Sequence, residues 1–173
     1  MSGALTLVLG GARSGKSRYA EDVVEGQGGR PIYLATAAAG DGEMAARIAA
    51  HRARRGSHWQ TVEEPLDLAG ALQRHAAPDA AVLVDCLTLW LSNVMMAGRD
   101  ATAECDRLVA ALPGLTGPVT MVSNEVGLGI VPAEPLGRDF RDRAGLLHQE
   151  LAAVADRVVL VVAGLPQQLK PSS

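Results

Sequence analysis

The residues best suited to chemistry lie between positions 10 and 17, where the chain reads GGARSGKS. This segment fits the pattern G-x-x-x-x-G-K-[ST], with Gly10, Gly15, Lys16 and Ser17 in the required places. Glycines let the backbone wrap with its N–H groups pointing inward at phosphate oxygens. The lysine supplies a point charge for the β- and γ-phosphates, and the serine hydroxyl is a ligand for Mg²⁺. The spacing therefore predicts a site for a nucleoside triphosphate.

A carboxylate suited to the same metal ion follows a later apolar run. Proteins with this phosphate-binding loop, the P-loop, use an acidic residue at the end of a neighbouring strand to hold Mg²⁺. The run AAVLVDCLTLW ends a predicted strand at Asp85. A solvated turn aspartate would give the same pattern, because carboxylates often follow strands. Ser17 and Asp85 are thus the candidate metal ligands.

A histidine among arginines is the second group of chemical interest, in the segment GDGEMAARIAAHRARRGSHW. On a helix His51 would neighbour Arg47, Arg54 and Arg55. Clustered guanidinium groups repel one another unless an anion lies between them, and they keep the imidazole neutral. A neutral imidazole can act as a base, or can attack phosphorus to give a phosphoramidate. From spacing alone, a solvated basic helix with an incidental histidine explains the segment better.

The elements that would position these residues alternate along the chain. Five apolar runs predict strands at Leu5 to Leu9, Pro31 to Ala35, Ala81 to Asp85, Val119 to Ser123 and Val158 to Val162. Helical patterns separate them, at Lys16 to Glu25, Gly42 to Arg55, Leu66 to His75, Thr102 to Leu112 and Arg138 to Ala155. Such alternation is typical of a doubly wound α/β fold whose mostly parallel sheet has helices on both faces. Ligands bind such sheets beyond the carboxyl ends of the strands, where the motifs above fall.

Composition excludes several other classes. The 173 residues favour a single domain spanning 1–173, with a frayed tail after Leu165. A net charge of −3 and 3% aromatic residues argue against nucleic-acid binding. No apolar run is long enough to span a membrane. Cys86 and Cys105 lack the spacing of a disulfide framework or a metal site, so we expect free buried thiols in a cytoplasmic protein.

Taken together, these segments resemble the bifunctional adenosylcobinamide kinase / adenosylcobinamide-phosphate guanylyltransferase (CobU/CobP) family of cobalamin biosynthesis. The resemblance covers nearly the whole chain. It is carried by GGARSGKSRYAE, IYLATA, DGEMAARIAAHRARRGSHWQTVEEP, VLVDCLTLWLSN, VSNEVGLGIVP and LGRDFRDRAGLLHQELAAVADRVVLVVAGLP. The histidine segment and SNEVGLGIVP are the most specific of these.

The resemblance implies a RecA-like P-loop fold, a homotrimer and two reactions. A kinase step moves the γ-phosphate of GTP or ATP to adenosylcobinamide, and a second step transfers GMP from GTP to the resulting phosphate. By resemblance His51 carries the GMP covalently and Lys16 serves both steps. The implied nucleotide contacts are Gly10, Gly11, Ala12, Arg13, Ser14, Gly15, Lys16, Ser17, Ala35, Thr36, Ala37, Arg52, Ala53, Arg54, Arg55, Glu63 and Asp85.

Two features leave alternatives open. His148 stands where the family pattern leads us to expect asparagine, which puts any polar contact at that position in doubt. The P-loop itself is also compatible with a small-molecule kinase that performs no guanylyl transfer, or with a nucleotide-switched interaction module. The intact set of Lys16, Ser17 and Asp85 argues against the last of these.

Overall fold

One seven-stranded sheet organises the computed structural model, which describes residues 3–37 and 55–171. The strand order is β3-β2-β4-β5-β1-β6-β7, and all neighbouring strands are parallel except the antiparallel pair β6 and β7. The strands are β1 Leu5–Gly10, β2 Arg30–Ala35, β3 Gln60–Glu63, β4 Ala80–Asp85, β5 Val119–Asn124, β6 Arg157–Val162 and β7 Leu165–Lys170. The described helices are α1 Lys16–Gly26, α2 Leu68–His75, α3 Leu87–Met96, α4 Ala101–Ala111 and α5 Pro135–Val154, and a 3₁₀ turn spans Leu112–Gly114.

The central strands are covered on both faces, which explains their continuous apolar runs. Every residue of β1 is buried. Val8 packs with α1 on one face, whereas Leu7 and Leu9 belong to the cluster formed with α2 to α5 on the other. Side chains that alternate between two dry faces leave no polar positions in a strand. The predicted doubly wound α/β fold is confirmed.

Local capping residues set where the helices begin. Asp67 precedes α2 and accepts a hydrogen bond from the Gly70 amide at 3.2 Å. Asp100 precedes α4 and accepts from the amides of Thr102 and Ala103 at 3.0 and 3.1 Å. Each carboxylate thereby satisfies amides of a first helical turn, which have no partner within the helix.

The prediction of a frayed tail after Leu165 is wrong. Residues Leu165–Lys170 form β7, joined to β6 by a two-residue turn in which Ala163 and Gly164 have φ angles of 52° and 77°. The side chains of β7 are almost all exposed, so no apolar pattern reveals the strand. Its stability comes instead from the backbone ladder with β6 and from Lys170, whose Nζ donates to the carbonyls of Ala152 and Ala153, both at 3.1 Å.

The other predicted elements differ mainly at their ends. The five predicted strands are confirmed to within one residue at each end. The sequence reading missed β3, which has four residues, and α3, whose apolar residues follow the β4 run without a break. The predicted helix Gly42 to Arg55 lies outside the described residues except for Arg55, which is in a turn. Within the described ranges, no helix is both long and apolar enough to cross a membrane.

The structure of the tail is testable by hydrogen exchange. Amides of Leu165–Lys170 that pair with β6 should exchange at least about a hundredfold more slowly than in an unstructured peptide. Gly164→Val should remove this protection, because a β-branched residue disfavours the positive φ of the turn. Gly98→Val is the matched control, since Gly98 also has a positive φ (68°) and both glycines have open space around them. Fast exchange in the unmodified chain would contradict the strand.

Candidate nucleotide-binding site

The P-loop connects the end of β1 to the start of α1. Gly15 caps the helix with a φ of 93°, a conformation that favours glycine, and α1 begins at Lys16. The Lys16 side chain is buried, and its Nζ donates to the carbonyl of Gly11 at 3.1 Å. The ammonium group therefore lies across its own loop, beside the amides that open the helix. A helix N-terminus with an adjacent cation is suited to a phosphate group.

Two neighbouring elements hold this loop in place. The Glu125 amide, just past β5, donates to the Gly10 carbonyl at 3.0 Å, and the Gly164 amide in the β6–β7 turn donates to the Ser14 carbonyl at 2.7 Å. A Cβ on Gly10 would lie 2.8 Å from the Val161 carbonyl oxygen. Glycine is thus required at position 10 by the approach of β6, in addition to any role toward phosphate.

Other predicted site residues gather along the same edge of the sheet. Ala35 at the end of β2 is in register with Glu63 at the end of β3 and with Asp85 at the end of β4. Gly10 at the end of β1 is in register with Asn124 at the end of β5. The carboxyl ends of five parallel strands therefore bring together residues separated by more than a hundred positions in sequence. This placement agrees with the expectation for a doubly wound sheet.

Asp85 is held by a buried tyrosine. The Tyr33 hydroxyl donates to Asp85 Oδ2 at 3.1 Å. Burial, and next the Asp85 carboxylate, raise the pKa of the Tyr33 hydroxyl above its ordinary value. The phenol consequently stays protonated at physiological pH and keeps its role as donor. Neither Tyr33 nor this contact was predicted from the sequence, because it depends on two strands becoming neighbours.

The oxygen donors at this edge suit Mg²⁺. Carboxylate and hydroxyl oxygens, here from Asp85 and Ser17, are ligands that Mg²⁺ prefers. No cluster of three or more metal-binding side chains occurs among residues 3–37 and 55–171. Mg²⁺ usually keeps several waters and takes further ligands from substrate phosphates, so two protein oxygens are compatible with such a site.

Arg55 is the one described member of the arginine group at positions 52–55. Its guanidinium carbon lies 3.2 Å from the centre of the Tyr33 ring, and its Nη1 is 3.6 Å from Glu21 Oε1 on α1. The two charged side chains are only 3% and 8% exposed. The Arg55 side chain thus links α1 to β2, and its contact with a nucleotide stays a prediction. His51, Arg52, Ala53 and Arg54 lie outside the described residues.

Thr36 joins the exits of β2 and β4. Its Oγ1 donates to the Cys86 carbonyl at 2.7 Å and accepts from the Cys86 amide at 2.8 Å. Asn93 on α3 donates to the Thr36 carbonyl at 2.8 Å. The side chain of Thr36 therefore has a structural role beside any backbone contact that Ala35, Thr36 and Ala37 make with a nucleotide.

The two acidic residues of the TVEEP segment differ in role. Glu64 Oε1 accepts hydrogen bonds from the amides of Leu66 and Asp67, at 3.0 and 2.8 Å, and so shapes the turn before α2. Glu63 is exposed at the end of β3. Of this pair, Glu63 is the residue whose carboxylate remains available to a ligand.

Asn124 connects the end of β5 to the start of α3. Its Nδ2 donates to Thr88 Oγ1 at 2.8 Å, and that hydroxyl lies 3.2 Å from Cys86 Sγ. Burial, followed by the charge of Asp85, raises the pKa of the Cys86 thiol and keeps it neutral. The prediction of two free, buried cysteines is confirmed for Cys86 and Cys105.

His148 on α5 is buried against β5. It is 7% exposed, and its Nε2 lies 2.7 Å from Ser123 Oγ on β5. Its Nδ1 is 3.9 Å from Glu125 Oε2, across a cleft of about 380 Å³. The imidazole thus keeps a polar contact at the position where asparagine was expected. Burial lowers the pKa of His148, although Glu125 opposes that shift.

A parallel sheet whose first strand leads through a glycine loop into a helix, with an aspartate at a nearby strand end, defines a P-loop protein of the α/β class. The chain belongs to one family of this class, because the family model for cobinamide kinase / cobinamide phosphate guanyltransferase matches residues 6–169. The sequence resemblance to that family is thereby confirmed.

Curated relatives cover almost the full length of the chain. It is 51% identical over 166 residues to the bifunctional adenosylcobalamin biosynthesis protein CobP of Pseudomonas aeruginosa, covering 95% of this chain and 96% of that protein. The proteins named bifunctional adenosylcobalamin biosynthesis protein CobU from Salmonella typhimurium and Escherichia coli are each 41% identical over 181 residues, covering 96% of this chain and 99% of theirs.

A solved structure supports the fold assignment. The crystal structure of the RadB recombinase matches with a TM-score of 0.51 at 16% identity, over 92% of this chain and 74% of that one. At that identity the likeness concerns the fold alone.

The need for glycine at position 10 can be tested without a nucleotide. Gly10→Ala should lower the free energy of unfolding by about 1–3 kcal/mol, because its methyl group meets the Val161 carbonyl. Gly11→Ala is the control, since a Cβ there has no neighbour within 4 Å. Urea unfolding of the nucleotide-free variants measures the difference. Equal stability of the two variants would show that β6 does not constrain the loop.

The lowered pKa of His148 predicts a pH dependence of stability. Below about pH 6.5 the unfolded chain binds a proton at His148 that the folded chain resists, so stability falls as the pH falls. His148→Asn should remove part of the loss between pH 7.5 and pH 5.5 in urea unfolding. His75→Asn at the end of α2 is the control. An unchanged pH dependence in the His148 variant would contradict this assignment.

Proposed function

We propose that this chain catalyses two successive reactions on adenosylcobinamide at its P-loop. In the first, the hydroxyl of the aminopropanol arm attacks the γ-phosphorus of GTP or ATP. The bond from γ-phosphorus to the β,γ-bridging oxygen breaks, the nucleoside diphosphate leaves with the electron pair, and the proton of the attacking hydroxyl is released to water. In the second, GMP passes from GTP to the new phosphate, giving adenosyl-GDP-cobinamide and pyrophosphate. Membership in a family described by both activities supports this proposal.

The observation that carries the kinase step is the geometry of the P-loop. Lys16 extends across the loop to the Gly11 carbonyl, beside the amides at the start of α1. A bound triphosphate would take over the ammonium group and those amides, which stabilise the negative charge that spreads over phosphate oxygens in the transition state. We assign Mg²⁺ to Ser17 and Asp85, where it would neutralise phosphate charge as a Lewis acid.

We assign the covalent step to His51. A nitrogen of its neutral imidazole attacks the α-phosphorus of GTP, the α,β-bridging P–O bond breaks, and pyrophosphate leaves with the electron pair. The substrate phosphate then attacks the same phosphorus and the P–N bond breaks, which regenerates the imidazole. Four residues span at most about 14 Å, and Arg55 is fixed over Tyr33, whose hydroxyl contacts Asp85. The described residue closest in sequence to His51 is therefore in contact with the hydrogen-bond partner of a proposed metal ligand, which supports the assignment.

The remaining nucleotide contacts are proposed by family resemblance. They comprise the loop residues Gly10, Gly11, Ala12, Arg13, Ser14, Gly15, Lys16 and Ser17, together with Ala35, Thr36, Ala37, Arg52, Ala53, Arg54, Arg55, Glu63 and Asp85. We further propose a single catalytic domain in a cytoplasmic homotrimer that acts on small molecules and not on nucleic acid. The net charge of −3 is consistent with the last point.

Separating the two reactions tests this assignment. His51→Ala should abolish acid-labile labelling of the protein by α-³²P-GTP while most kinase activity remains, because only the second reaction uses the imidazole. Lys16→Ala should reduce both reactions by at least about a hundredfold, because both need the triphosphate held. Labelling on denaturing gels and mass spectrometry of the corrinoid products measure the two steps.

An exposed histidine provides the control for this experiment. The side chain of His58 is 61% exposed, and its Nε2 lies 3.4 Å from Glu25 Oε1. Because His58 is assigned no role in either reaction, His58→Ala should leave both unchanged. Undiminished labelling of His51→Ala would refute the guanylyl-histidine. Full retention of one reaction in Lys16→Ala would require a second nucleotide site.

A further inference from the structure

Three contacts join four residues, Asp85, Tyr33, Arg55 and Glu21, and so connect the elements that carry the two proposed metal ligands. Asp85 accepts from the Tyr33 hydroxyl at 3.1 Å, and the guanidinium carbon of Arg55 lies 3.2 Å from the centre of the Tyr33 ring. Arg55 lies 3.6 Å from Glu21, which is on α1, the helix that carries Ser17 in its first turn. The contacts thus join the strand that ends in Asp85 to the helix that presents Ser17.

The hydroxyl of Tyr33 needs an explanation beyond packing. Tyr33 is 8% exposed and belongs to the apolar cluster between the sheet and α1. Phenylalanine would fill the same space without the cost of burying a hydroxyl group. The hydroxyl is compensated by a hydrogen bond to a carboxylate, which is among the stronger hydrogen bonds in proteins. Its effect is to hold one oxygen of Asp85 in a fixed direction.

The face of the Tyr33 ring is also held in place, by the guanidinium group of Arg55. A guanidinium group over an aromatic face is attracted by the ring, and more strongly when both are desolvated. Arg55 cannot easily leave this position, because doing so would separate it from Glu21 and leave a buried carboxylate without that partner. The ring is therefore held between the sheet and a buried ion pair, which fixes the direction of its hydroxyl.

We propose that Tyr33 is a positioning residue that orients the Asp85 carboxylate for the metal ion, with Arg55 and Glu21 holding the tyrosine in place. This inference rests on the proposed role of Asp85 in metal binding. A carboxylate that already points in one direction loses less side-chain freedom when the metal binds, so affinity for the metal increases. Tyr33 itself contacts neither the nucleotide nor the reacting atoms in this account.

Metal affinity measured without turnover tests the proposal. The probe is Mn²⁺, titrated in the presence of saturating β,γ-methylene-GTP and followed by electron paramagnetic resonance of the free ion. Tyr33→Phe should raise the Mn²⁺ Kd by about five- to tenfold, less than the full effect of a hydrogen bond to a charged group, because the bond orients Asp85 but does not contact the metal. Binding of the nucleotide analogue without metal should change less than twofold. At saturating Mg²⁺ the kinase kcat should recover, because only metal affinity is affected.

A matched tyrosine controls for loss of a hydroxyl group. Tyr19 follows Ser17 by two residues on α1, but its hydroxyl accepts a hydrogen bond from Arg157 at 2.6 Å, at the amino end of β6 and not at the strand ends that carry Asp85. Tyr19→Phe should leave the Mn²⁺ Kd unchanged within twofold. Equal weakening in both variants would overturn the proposal, since the effect would then be general.

Asp85→Asn distinguishes failure of the proposed metal role of Asp85 from failure of the positioning role of Tyr33. Asp85→Asn should weaken Mn²⁺ binding more than Tyr33→Phe does. If Asp85→Asn has no effect, the proposed metal role of Asp85 fails. If Asp85→Asn weakens binding and Tyr33→Phe does not, the positioning role alone is refuted.

Arg55→Lys tests the support of the tyrosine, because it keeps a cation beside Glu21 while removing the planar group over the ring. It should raise the Mn²⁺ Kd in the same direction but less than Tyr33→Phe. The double variant Tyr33→Phe/Arg55→Lys should bind Mn²⁺ no more weakly than Tyr33→Phe alone, since Arg55 is proposed to act through the tyrosine hydroxyl. Additive effects would overturn that link. Thermal unfolding of each variant confirms that it is folded at the assay temperature.

Discussion

The arrangement of the site depends on one constraint: a loop with few side chains must keep its shape before any phosphate reaches it. Two hydrogen bonds impose that shape, from the Glu125 amide to Gly10 and from the Gly164 amide to Ser14. Both donors lie just after the two strands that flank β1, so the sheet restricts the movement of the loop. Lys16 completes the arrangement, since its ammonium group is bonded to the Gly11 carbonyl. Amides and a cation that are already in place need little reorganisation when a triphosphate binds.

The same constraint explains why the β6–β7 hairpin belongs to the site although its residues carry no catalytic chemistry. Gly164 lies in the turn of this hairpin, and its amide bonds to the loop. The turn is held by the β7 ladder and by Lys170 of β7, whose Nζ donates to carbonyls at the end of α5. On the other side of the sheet, Thr36 and Asn93 link the exits of β2 and β4. One end of the site is therefore held by hydrogen bonds between backbone groups, and the other by hydrogen bonds from side chains to the backbone.

The features predicted correctly from the sequence are those with a local pattern of residues. The features that were missed depend on contacts between distant parts of the chain. Strands buried on both faces, such as β1, appear as apolar runs, and the phosphate loop has a fixed spacing of residues. The strand β7 could not be found this way, because its exposed side chains carry no pattern and its stability lies in the backbone. The contact of Tyr33 with Arg55 likewise follows from a buried ion pair to α1 that no spacing along the chain reveals. The sequence likewise left in doubt whether His148 has a polar contact, because its partner Ser123 lies on a strand 25 residues earlier.

In the proposed function, one binding site for the triphosphate must serve two nucleophiles that attack different phosphorus atoms. The substrate hydroxyl needs the γ-phosphorus and the imidazole needs the α-phosphorus, so the two attacks come from different directions. Lys16 and the amides of α1 serve both, because charge accumulates on phosphate oxygens in either transition state. The attack on the α-phosphorus is assigned to His51. Arg55, the described residue closest to His51 in sequence, is held to α1 by Glu21 and to β2 by Tyr33. Because one loop holds one triphosphate at a time, the diphosphate of the first reaction must leave before the GTP of the second can bind.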